Sequence, residues 1–350
     1  MTTIKDVARV ADVSIATVSA LLNGTARVSD KLAQRIWAAI ESTGYSPHGP
    51  ARSLRLGRTR SIALVVGDIS NPFFTSLAKT VEARAVEAGY MVIVANSDEE
   101  PEKELKLLEM LREQRVAGIL LTPSGHDPSY LLALSRITDI PIVLLDRMLP
   151  QSAFDSVVVD NLAMARMATD YLVRLNHRRI ALVIGKQHIW TMEQRLHGYR
   201  EGLKLAGITA DPTLELVADT RIETAYEVVQ RLLTQPDPPT AIFAANILMM
   251  LGAIEAVMDM GYRCPEQVSL AGIDDFPGSS AIRPLLTTVT QPIEELAERA
   301  VRRLLEKIDE APTAARKPNP QTITLMPRLL IRDSCSRRTV QPQSEGSAPR

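Results

Sequence analysis

Acidic and histidine side chains are the groups in this 350-residue sequence that could carry acid–base or metal chemistry. Of the five histidines, His177, His188 and His197 are too far apart to share one helical face as metal ligands. Adjacent carboxylates such as Asp274 and Asp275 lie on different sides of the chain, which does not suit paired acid–base catalysis. The sequence also has no G-x-G-x-x-G, P-loop or G-x-S-x-G motif. These patterns predict no enzyme activity, no metal site and no cofactor.

Charge is unevenly distributed along the chain. The net charge is -1, yet residues 1–60 hold nine basic and four acidic residues, which leaves +5 there and -6 in the remainder. This asymmetry predicts a small polyanion-binding domain in front of an acidic body.

Cys264 and Cys335 are the only cysteines, which excludes a disulfide framework. The start MTTIKDVARV lacks the apolar stretch of a signal peptide, and no apolar run approaches the roughly 20 residues of a membrane span, so we predict a cytoplasmic protein.

The elements that would position the basic segment are three short helices. Thr3 and Asp6 can cap a first helix, Ser14 a second and Ser29 a third that ends at Gly44. Apolar residues recur at helical spacing in all three segments. Three short helices with a tight turn between the first two predict a helix-turn-helix unit, whose second helix enters the major groove by its amino-terminal end.

From residue 61 onward, short apolar runs alternate with amphipathic stretches long enough for crossover helices. This alternation predicts two parallel α/β sheets. The runs are 62–66, 91–95, 118–121, 142–145, 157–159, 180–184, 241–245 and 269–273. Residues 334–350 are polar and have no periodicity, so we predict a disordered tail.

The segment TIKDVARVADVSIATVSALLNG, from Thr3 to Gly24, begins a series of motifs that extends to Arg332. The series continues through YSPHGPARSL (45–54), NPFF (71–74), Asp146-Arg147, Asp160-Asn161, NHRRIA (176–181), Arg195 with Gly198-Tyr199, AGIDD (271–275), LLTTVTQP (285–292) and PRLLIR (327–332). In order and spacing the series resembles the lactose-repressor (LacI/GalR) family of bacterial transcription regulators. The resemblance covers almost the whole chain.

The resemblance implies a fold: an all-α helix-turn-helix headpiece with a hinge helix, then an α/β periplasmic-binding-protein-like body of two parallel-sheet lobes joined by three crossing strands. The expected boundaries are 1–46 for the headpiece, 47–60 for the hinge and 61–333 for the body. Lobe one would comprise about 61–160 and 292–322, and lobe two about 161–291 and 323–333.

In this family the hinge folds into a short helix on operator DNA. Arg52, Leu54 and Arg55 are expected to contact DNA there, and Leu54 matches the residue that wedges into the minor groove. A packed linker residue is the alternative role for Leu54. The pair Gly49-Pro50 departs from the asparagine-containing sequence that is usual in the family.

By the same resemblance, the start of the second helix meets the operator. Three residues there would contact bases: Ile15, Ala16 and Ala20. The residues expected at phosphates are Ser14, Thr17, Ser19 and Asn23, and Thr3 completes the predicted DNA-contacting set. Because the three base-contacting residues are apolar, they cannot form bidentate hydrogen bonds to base edges, and thymine methyl contacts and DNA shape remain.

The family binds small effectors between its two lobes, and the matching positions here combine aromatic walls with polar groups. They are Phe73, Phe74, Asp146, Asp160, Arg195, Thr220, Arg221, Asn246 and Asp274. Asp160 and Asp274 could instead cap strand ends. Two departures weaken a neutral-sugar assignment: Ile247 replaces a common aspartate, and Thr220 replaces a common aromatic residue. With Arg221 beside Thr220, two guanidinium groups could face the effector, which slightly favours an anionic one; Arg221 could also point into solvent.

Together these features predict a transcriptional repressor that binds near-palindromic operator DNA as a homodimer or a larger assembly. A small polar effector such as a sugar or a sugar acid is expected to control this binding. The sequence predicts no membrane association. The alternative is a stand-alone small-molecule binding protein of the transport-receptor type, which the basic headpiece disfavours.

Leu54→Ala tests the predicted wedge. The substitution should weaken specific operator binding by roughly 1 to 3 kcal/mol, because the wedge that stabilises the bent duplex is lost. Binding to random DNA should change little. Gel shifts with both DNAs measure the difference, and equal losses on both would assign Leu54 to linker packing.

Overall fold

The computed structural model describes residues 2–23, 26, 28–45, 59–137, 140–149, 153–310 and 320–338. The chain divides into two compact units, Met1–Thr59 and Arg60–Arg350. The hinge predictions at Arg52, Leu54 and Arg55 lie outside the described residues.

The headpiece consists of three helices, as predicted. Their bounds are α1 (Ile4–Val10), α2 (Ile15–Asn23) and α3 (Asp30–Thr43). The Asp6 carboxylate accepts a hydrogen bond from the backbone N–H of Thr3 at 2.9 Å, and Ser14 Oγ accepts one from the N–H of Thr17 at 3.1 Å. Gly44 ends α3 in the left-handed conformation, with φ of 62°. Each helix therefore begins or ends where a residue suited to that end occurs.

Val7, Val18 and Ile36 form the centre of the headpiece core, one from each helix, and all three are fully buried. The Arg35 guanidinium on α3 donates to the carbonyl oxygen of Ala11 at 2.7 Å, which fixes α3 against the turn between α1 and α2. A small core and the contacts of Arg35 with the turn thus hold the helix-turn-helix geometry.

Lobe one is built on a six-stranded parallel sheet in the order β11-β5-β4-β3-β1-β2. Its strands are β1 (Ser61–Val66), β2 (Met91–Asn96), β3 (Gly118–Leu121), β4 (Ile142–Leu145), β5 (Asp155–Val159) and β11 (Thr322–Leu325). Its helices are α4 (Pro72–Glu87), α5 (Pro101–Glu113), α6 (Pro128–Ser135) and α11 (Ile293–Asp309). Strands β1, β3, β4 and β5 are buried along their length, as expected of parallel strands covered on both faces.

Lobe two has a second six-stranded sheet in the order β12-β10-β9-β8-β6-β7, in which only β12 pairs antiparallel among the described strands. Its strands are β6 (Ile180–Ile184), β7 (Glu215–Val217), β8 (Ala241–Ala244), β9 (Ser269–Ile273), β10 (Thr287–Thr290) and β12 (Arg328–Leu330). Its helices are α7 (Asn161–Arg174), α8 (Trp190–Leu205), α9 (Ile222–Leu233) and α10 (Ile247–Asp259), with short 3-10 turns at Pro212–Leu214 and Ser279–Ala281.

The chain passes between the two sheets at three points: after β5, after β10 and between β11 and β12. Three of the strands next to these crossings, β10, β11 and β12, were not among the predicted apolar runs, and neither was β7. These four strands have three or four residues each and contain threonine or charged residues, so they lack a continuous apolar run.

The predicted disordered tail is wrong for residues 334–338, which pack on lobe two. Ser334 is fully buried, and its hydroxyl donates to the carbonyl oxygen of Leu270 at 2.6 Å and accepts from the N–H of Thr287 at 2.8 Å. His177 Nε2 lies 3.1 Å from the carbonyl oxygen of Ser336. The short polar side chains of this segment form hydrogen bonds with main-chain groups of β9 and β10. The polar composition of residues 334–338 was therefore not a sign of disorder. Residues 339–350 lie outside the described residues.

Glycines allow the paired helices of lobe two to approach closely. A Cβ placed at Gly198 on α8 would lie 2.2 Å from the carbonyl oxygen of Leu162 on α7, and one at Gly252 on α10 would lie 2.2 Å from that of Ile222 on α9. Both distances are far below van der Waals contact, and the opposing atoms belong to the backbone. A side chain at either position would therefore force the helices apart.

Gly198→Ala should destabilise the body by about 1 to 3 kcal/mol, the usual cost of overpacking, even though alanine favours helix formation. The control is Lys204→Ala, an exposed position on the same helix, which should change stability by less than about 0.5 kcal/mol. Urea unfolding of the full chain measures both. Equal stabilities of the two variants would show that α7 and α8 can separate at no cost.

Candidate functional site

The amino-terminal end of α2 is exposed in the headpiece. Ser14, Ile15 and Ala16 are solvent-accessible, and Ile15 is 44% exposed although it is a large apolar residue. Thr17, Ser19 and Ala20 are half-buried along the next turn, and Asn23 is the last residue of the helix. Thr3 is exposed as the residue that precedes α1. The structure therefore presents the predicted base-contacting end of α2 at the headpiece surface.

A cleft lies between the two sheets of the body. Polar residues from both lobes line it because they follow the carboxyl ends of parallel strands, where ligands commonly bind in α/β folds. Apolar residues of α4 and α8 complete the walls. The lining residues are Asp68, Asn71, Phe73, Phe74, Glu99, Asp146, Arg147, Ile189, Thr191, Met192, Arg195, Thr220, Asn246, Asp274 and Gln291.

Phe73 and Phe74 form an aromatic wall of the cleft. Asn71 caps α4, since its Oδ1 accepts a hydrogen bond from the N–H of Phe73 at 3.0 Å. The two rings meet edge to face, with centroids 5.1 Å apart and planes at 64°. The guanidinium carbon of Arg147 lies 5.9 Å from the Phe74 ring centroid. The wall is thus fixed by a helix cap at one end and by aromatic packing at the other.

The buried Arg147 and the half-buried Glu99 form an ion pair in the lobe-one part of the cleft. The Arg147 Nη1 and Nη2 atoms donate to the two Glu99 carboxylate oxygens at 2.6 and 2.7 Å. Nη1 also donates to the carbonyl oxygen of Pro123 at 3.2 Å. The planar guanidinium is therefore oriented by a bidentate contact and by the backbone.

Asp146 follows β4 and is 3% exposed. Its Oδ1 atom has no hydrogen-bond partner among the described residues. Burial raises the pKa of this carboxyl to about 6, against the opposing effect of Arg147 and Arg195. A buried carboxylate oxygen without a donor is costly, so this atom is an acceptor available to a bound molecule.

Arg195, Asp274 and Gln291 form the lobe-two part of the cleft. Arg195 Nε donates to Asn161 Oδ1 at 2.8 Å, and Nη1 donates to the carbonyl oxygen of Ala245 at 2.6 Å. Gln291 Nε2 donates to Asp274 Oδ1 at 2.9 Å, while Gln291 Oε1 is buried without a partner among the described residues. Burial raises the pKa of the Asp274 carboxyl. A second unpaired acceptor thus lies in the cleft.

Thr220 and Asn246 line the cleft, which is the position predicted for them. Asn246 also caps α10, because its Oδ1 accepts from the N–H of Met249 at 2.8 Å. Thr220 adopts a positive φ of 58°, which directs the chain into α9. Both residues therefore serve local structure as well as lining the cleft.

Two predicted effector residues do not line the inner cleft. Asp160 caps α7, with Oδ1 accepting from the N–H of Ala163 at 2.8 Å, which is a helix cap and not the strand-end cap that was the alternative. Arg221 is exposed and lines the wider mouth of the cleft. Ile247 is fully buried in the core and does not replace a charge on the cleft lining. Neither of the two features behind the prediction of an anionic effector, a second guanidinium group and a lost carboxylate, lies on the inner cleft.

Sequence reasoning missed eight of the fifteen residues that line the cleft, among them Glu99, Arg147 and Gln291. Arg147 and Gln291 belonged to motifs that were noticed, Asp146-Arg147 and LLTTVTQP, and their position directly after strands could have indicated the cleft. Glu99 lies in a loop with no distinguishing pattern. Its role depends on a partner 48 residues away, which only the fold brings near.

Two negative findings concern the part of the chain that the structure describes. Within it, no group of three or more histidine, cysteine, aspartate or glutamate side chains is arranged to hold a metal ion. Across the same residues, no helix is both long enough and apolar enough to span a membrane.

Comparison with known families divides the chain as its two units do. Residues 3–48 match the family model described as bacterial regulatory proteins, lacI family. Residues 59–330 match the model described as periplasmic binding proteins and sugar binding domain of LacI family.

Individual relatives agree. The HTH-type transcriptional regulator DegA of Bacillus subtilis (strain 168) is 36% identical over 96% of this chain and 98% of its own length. A lac repressor dimer bound to operator and the anti-inducer ONPF is 26% identical, with a TM-score of 0.85 over 96% of this chain and 99% of that one. The transcriptional regulator CelR in complex with cellobiose is 30% identical, with a TM-score of 0.70 over 95% and 100% of the two chains.

These relatives are transcriptional regulators, which confirms the prediction of a regulator rather than an enzyme. The headpiece match also excludes the alternative of a stand-alone binding protein. The chain belongs to the LacI family of bacterial regulatory proteins, with a helix-turn-helix DNA-binding headpiece and a periplasmic-binding-protein-like effector domain.

Proposed function

We propose that this regulator represses transcription from a near-palindromic operator, and that a neutral, hydroxylated effector in the cleft controls its affinity for DNA. The observation that carries the effector assignment is the pair of buried acceptors without donors, Asp146 Oδ1 and Gln291 Oε1. Because the protein acts on DNA, its place of action is the bacterial cytoplasm.

On the operator, the exposed end of α2 supplies the contacts. Ile15, Ala16 and Ala20 meet thymine methyl groups in the major groove, and four polar residues hold the phosphates: Ser14, Thr17, Ser19 and Asn23. The exposure of Ile15 supports this assignment, since a large apolar side chain gains from being covered by the DNA. A homodimer carries two such helices to the two half-sites.

The charges of the cleft favour a neutral effector. Four carboxylates line it, Asp68, Glu99, Asp146 and Asp274, against the two guanidinium groups of Arg147 and Arg195. Arg147 is already paired with Glu99, and Arg195 already donates to Asn161 and to the Ala245 carbonyl. Two buried acceptors, Asp146 Oδ1 and Gln291 Oε1, and one buried donor, Arg147 Nε, are left without partners among the described residues, so the effector must both donate and accept hydrogen bonds, as sugar hydroxyl groups do.

The apolar walls suit the same class of molecule. Phe73, Phe74, Ile189 and Met192 line the cleft and can cover the C–H faces of a sugar ring, while the carboxylates meet its hydroxyl groups. The cellobiose complex of CelR shows that a similar chain can hold such a ligand. Asn246, Thr220, Arg195 and Asp274 complete the proposed effector contacts.

Calorimetry with matched sugars tests the effector class. Titration of the full-length protein with cellobiose, glucose and ribose, each beside its aldonic acid, should show tighter binding of the neutral member of the best-binding pair. The difference should be at least about tenfold, or 1.4 kcal/mol, because the acid brings a carboxylate against unpaired acceptors.

The matched variant is Asp274→Asn, which should lose sugar binding and keep operator affinity in a gel shift. Tighter binding of the acid member would contradict a neutral effector. Loss of operator binding in the variant would assign Asp274 to folding.

The buried Asp146 carboxylate should lower the free energy of unfolding at neutral pH, and its proposed role in binding explains why it is there. Its pKa in the folded protein is raised to about 6 from an ordinary 3.8, so the unfolded chain ionises first as the pH rises. The free energy of unfolding therefore falls as the pH rises from about 3.8 to about 6. Asp146→Asn has no carboxyl group at this position and removes this decrease. Relative to the wild-type protein, the variant should gain roughly 1 to 2 kcal/mol between about pH 5 and about pH 7.5.

Urea unfolding at the two pH values measures this gain. Asp309→Asn, an exposed position at the end of α11, is the control and should follow the wild-type protein. A pH-independent difference between Asp146→Asn and the wild-type protein would show that burial does not disfavour the charged carboxylate.

A further inference from the structure

Glu104 is a carboxylate that sequence reasoning did not single out, and it lies entirely inside lobe one. It belongs to α5, and its side chain is fully buried. Its Oε2 accepts hydrogen bonds from the backbone N–H and the hydroxyl of Ser124, at 3.0 and 2.7 Å. Its Oε1 accepts one from the Tyr130 hydroxyl on α6. Glu104 does not line the cleft, but it holds the loop that follows β3.

That loop supports the cleft directly. Pro123, next to Ser124, accepts a hydrogen bond from Arg147 Nη1 through its carbonyl oxygen at 3.2 Å. The Ser124 hydroxyl also lies 2.9 Å from the hydroxyl of Ser97. Two loops at the carboxyl edge of the lobe-one sheet, after β2 and after β3, therefore meet above Glu104.

The second loop supplies the partner of Arg147. The Ser97 N–H donates to the carbonyl oxygen of Val66 at 2.9 Å. The single Ser97 hydroxyl proton can go either to that oxygen, at 3.1 Å, or to Ser124 Oγ, and only the second choice joins the two loops, because Ser124 donates its own proton to Glu104. Two residues later, Glu99 takes a positive φ of 59° and places its carboxylate on Arg147. Both acceptors of Arg147, the Glu99 carboxylate and the Pro123 carbonyl, thus belong to loops that Glu104 ties together.

We propose that Glu104 is a positioning residue for the effector cleft, acting through Ser124 to hold both acceptors of Arg147 in place. This inference deepens the proposed function, because it assumes that the cleft with Arg147 is the effector site. A fully buried carboxylate that accepts several donors is costly unless its hydrogen bonds are kept, which makes the whole arrangement stiff.

The Arg147 Nε–H resonance in the full-length protein reports on this arrangement, and Arg147→Lys assigns it by its loss. Burial raises the pKa of the Glu104 carboxyl to about 7, so the wild-type resonance should titrate near that pH as Glu104 gains or loses its proton. Glu99, Asp146 and His188 also face Arg147. Any effect of these three groups on the Arg147 resonance remains when Glu104 is replaced.

Glu104→Gln keeps the shape of the side chain and removes its titration. The expected result is loss of the step near pH 7. The control is Glu109→Gln, an exposed position on the same helix, which should titrate as the wild-type protein does. An unchanged titration in Glu104→Gln would overturn the proposal.

Tyr130→Phe provides a second variant if Glu104→Gln fails to fold. It removes one donor that stabilises the charged carboxylate, so the midpoint should move to higher pH. A midpoint that stays or falls would overturn the proposal. Neither measurement uses effector or operator, so a failed effector assignment and a failed role for Glu104 are distinguishable.

Discussion

A charged guanidinium buried in the cleft is the constraint on which the lobe-one part of the site depends. Removing Arg147 from water costs several kcal/mol unless a carboxylate is held against it in good geometry. The structure meets this demand with Glu99, whose positive φ turns the loop inward, and with Gly67, where a Cβ would lie 2.4 Å from Glu99 Oε1. The glycine, the turned loop and the Glu104 network are all explained by keeping this ion pair in place.

In the proposed effector site, two buried side chains lower the stability of the free protein and are available for binding. Asp146 Oδ1 and Gln291 Oε1 are buried without hydrogen-bond donors among the described residues, although most buried polar atoms in proteins are paired. An effector that supplies donors offsets this cost, and it does so only when both lobes surround it. The free energy gained on binding is therefore tied to the relation between the lobes, which is the type of change an allosteric repressor needs.

The headpiece follows a different principle. Its helices are short, and a small core of Val7, Val18 and Ile36 together with end caps determines their geometry. At the operator contacts that we propose, Ile15 and Ala16 are apolar and exposed, which assigns sequence selection to methyl contacts and DNA shape. DNA binding and effector binding are thus built on separate units, each with its own core.

The sequence by itself determined the headpiece helices, eight apolar strands, the family and seven of the fifteen cleft residues, because periodicity, caps and strand ends are local properties of the chain. Only the tertiary structure decided that Asp160 caps a helix, that Arg221 lies at the mouth, that residues 334–338 are packed, and that Glu99 pairs with Arg147. The physical reason is that the burial and pairing of a polar side chain depend on partners from distant parts of the chain. Asp160 and Asp274 both follow parallel strands. The Asp160 carboxylate accepts a hydrogen bond from the N–H of Ala163 at the start of α7, whereas the Asp274 carboxylate accepts one from the Gln291 amide in the cleft.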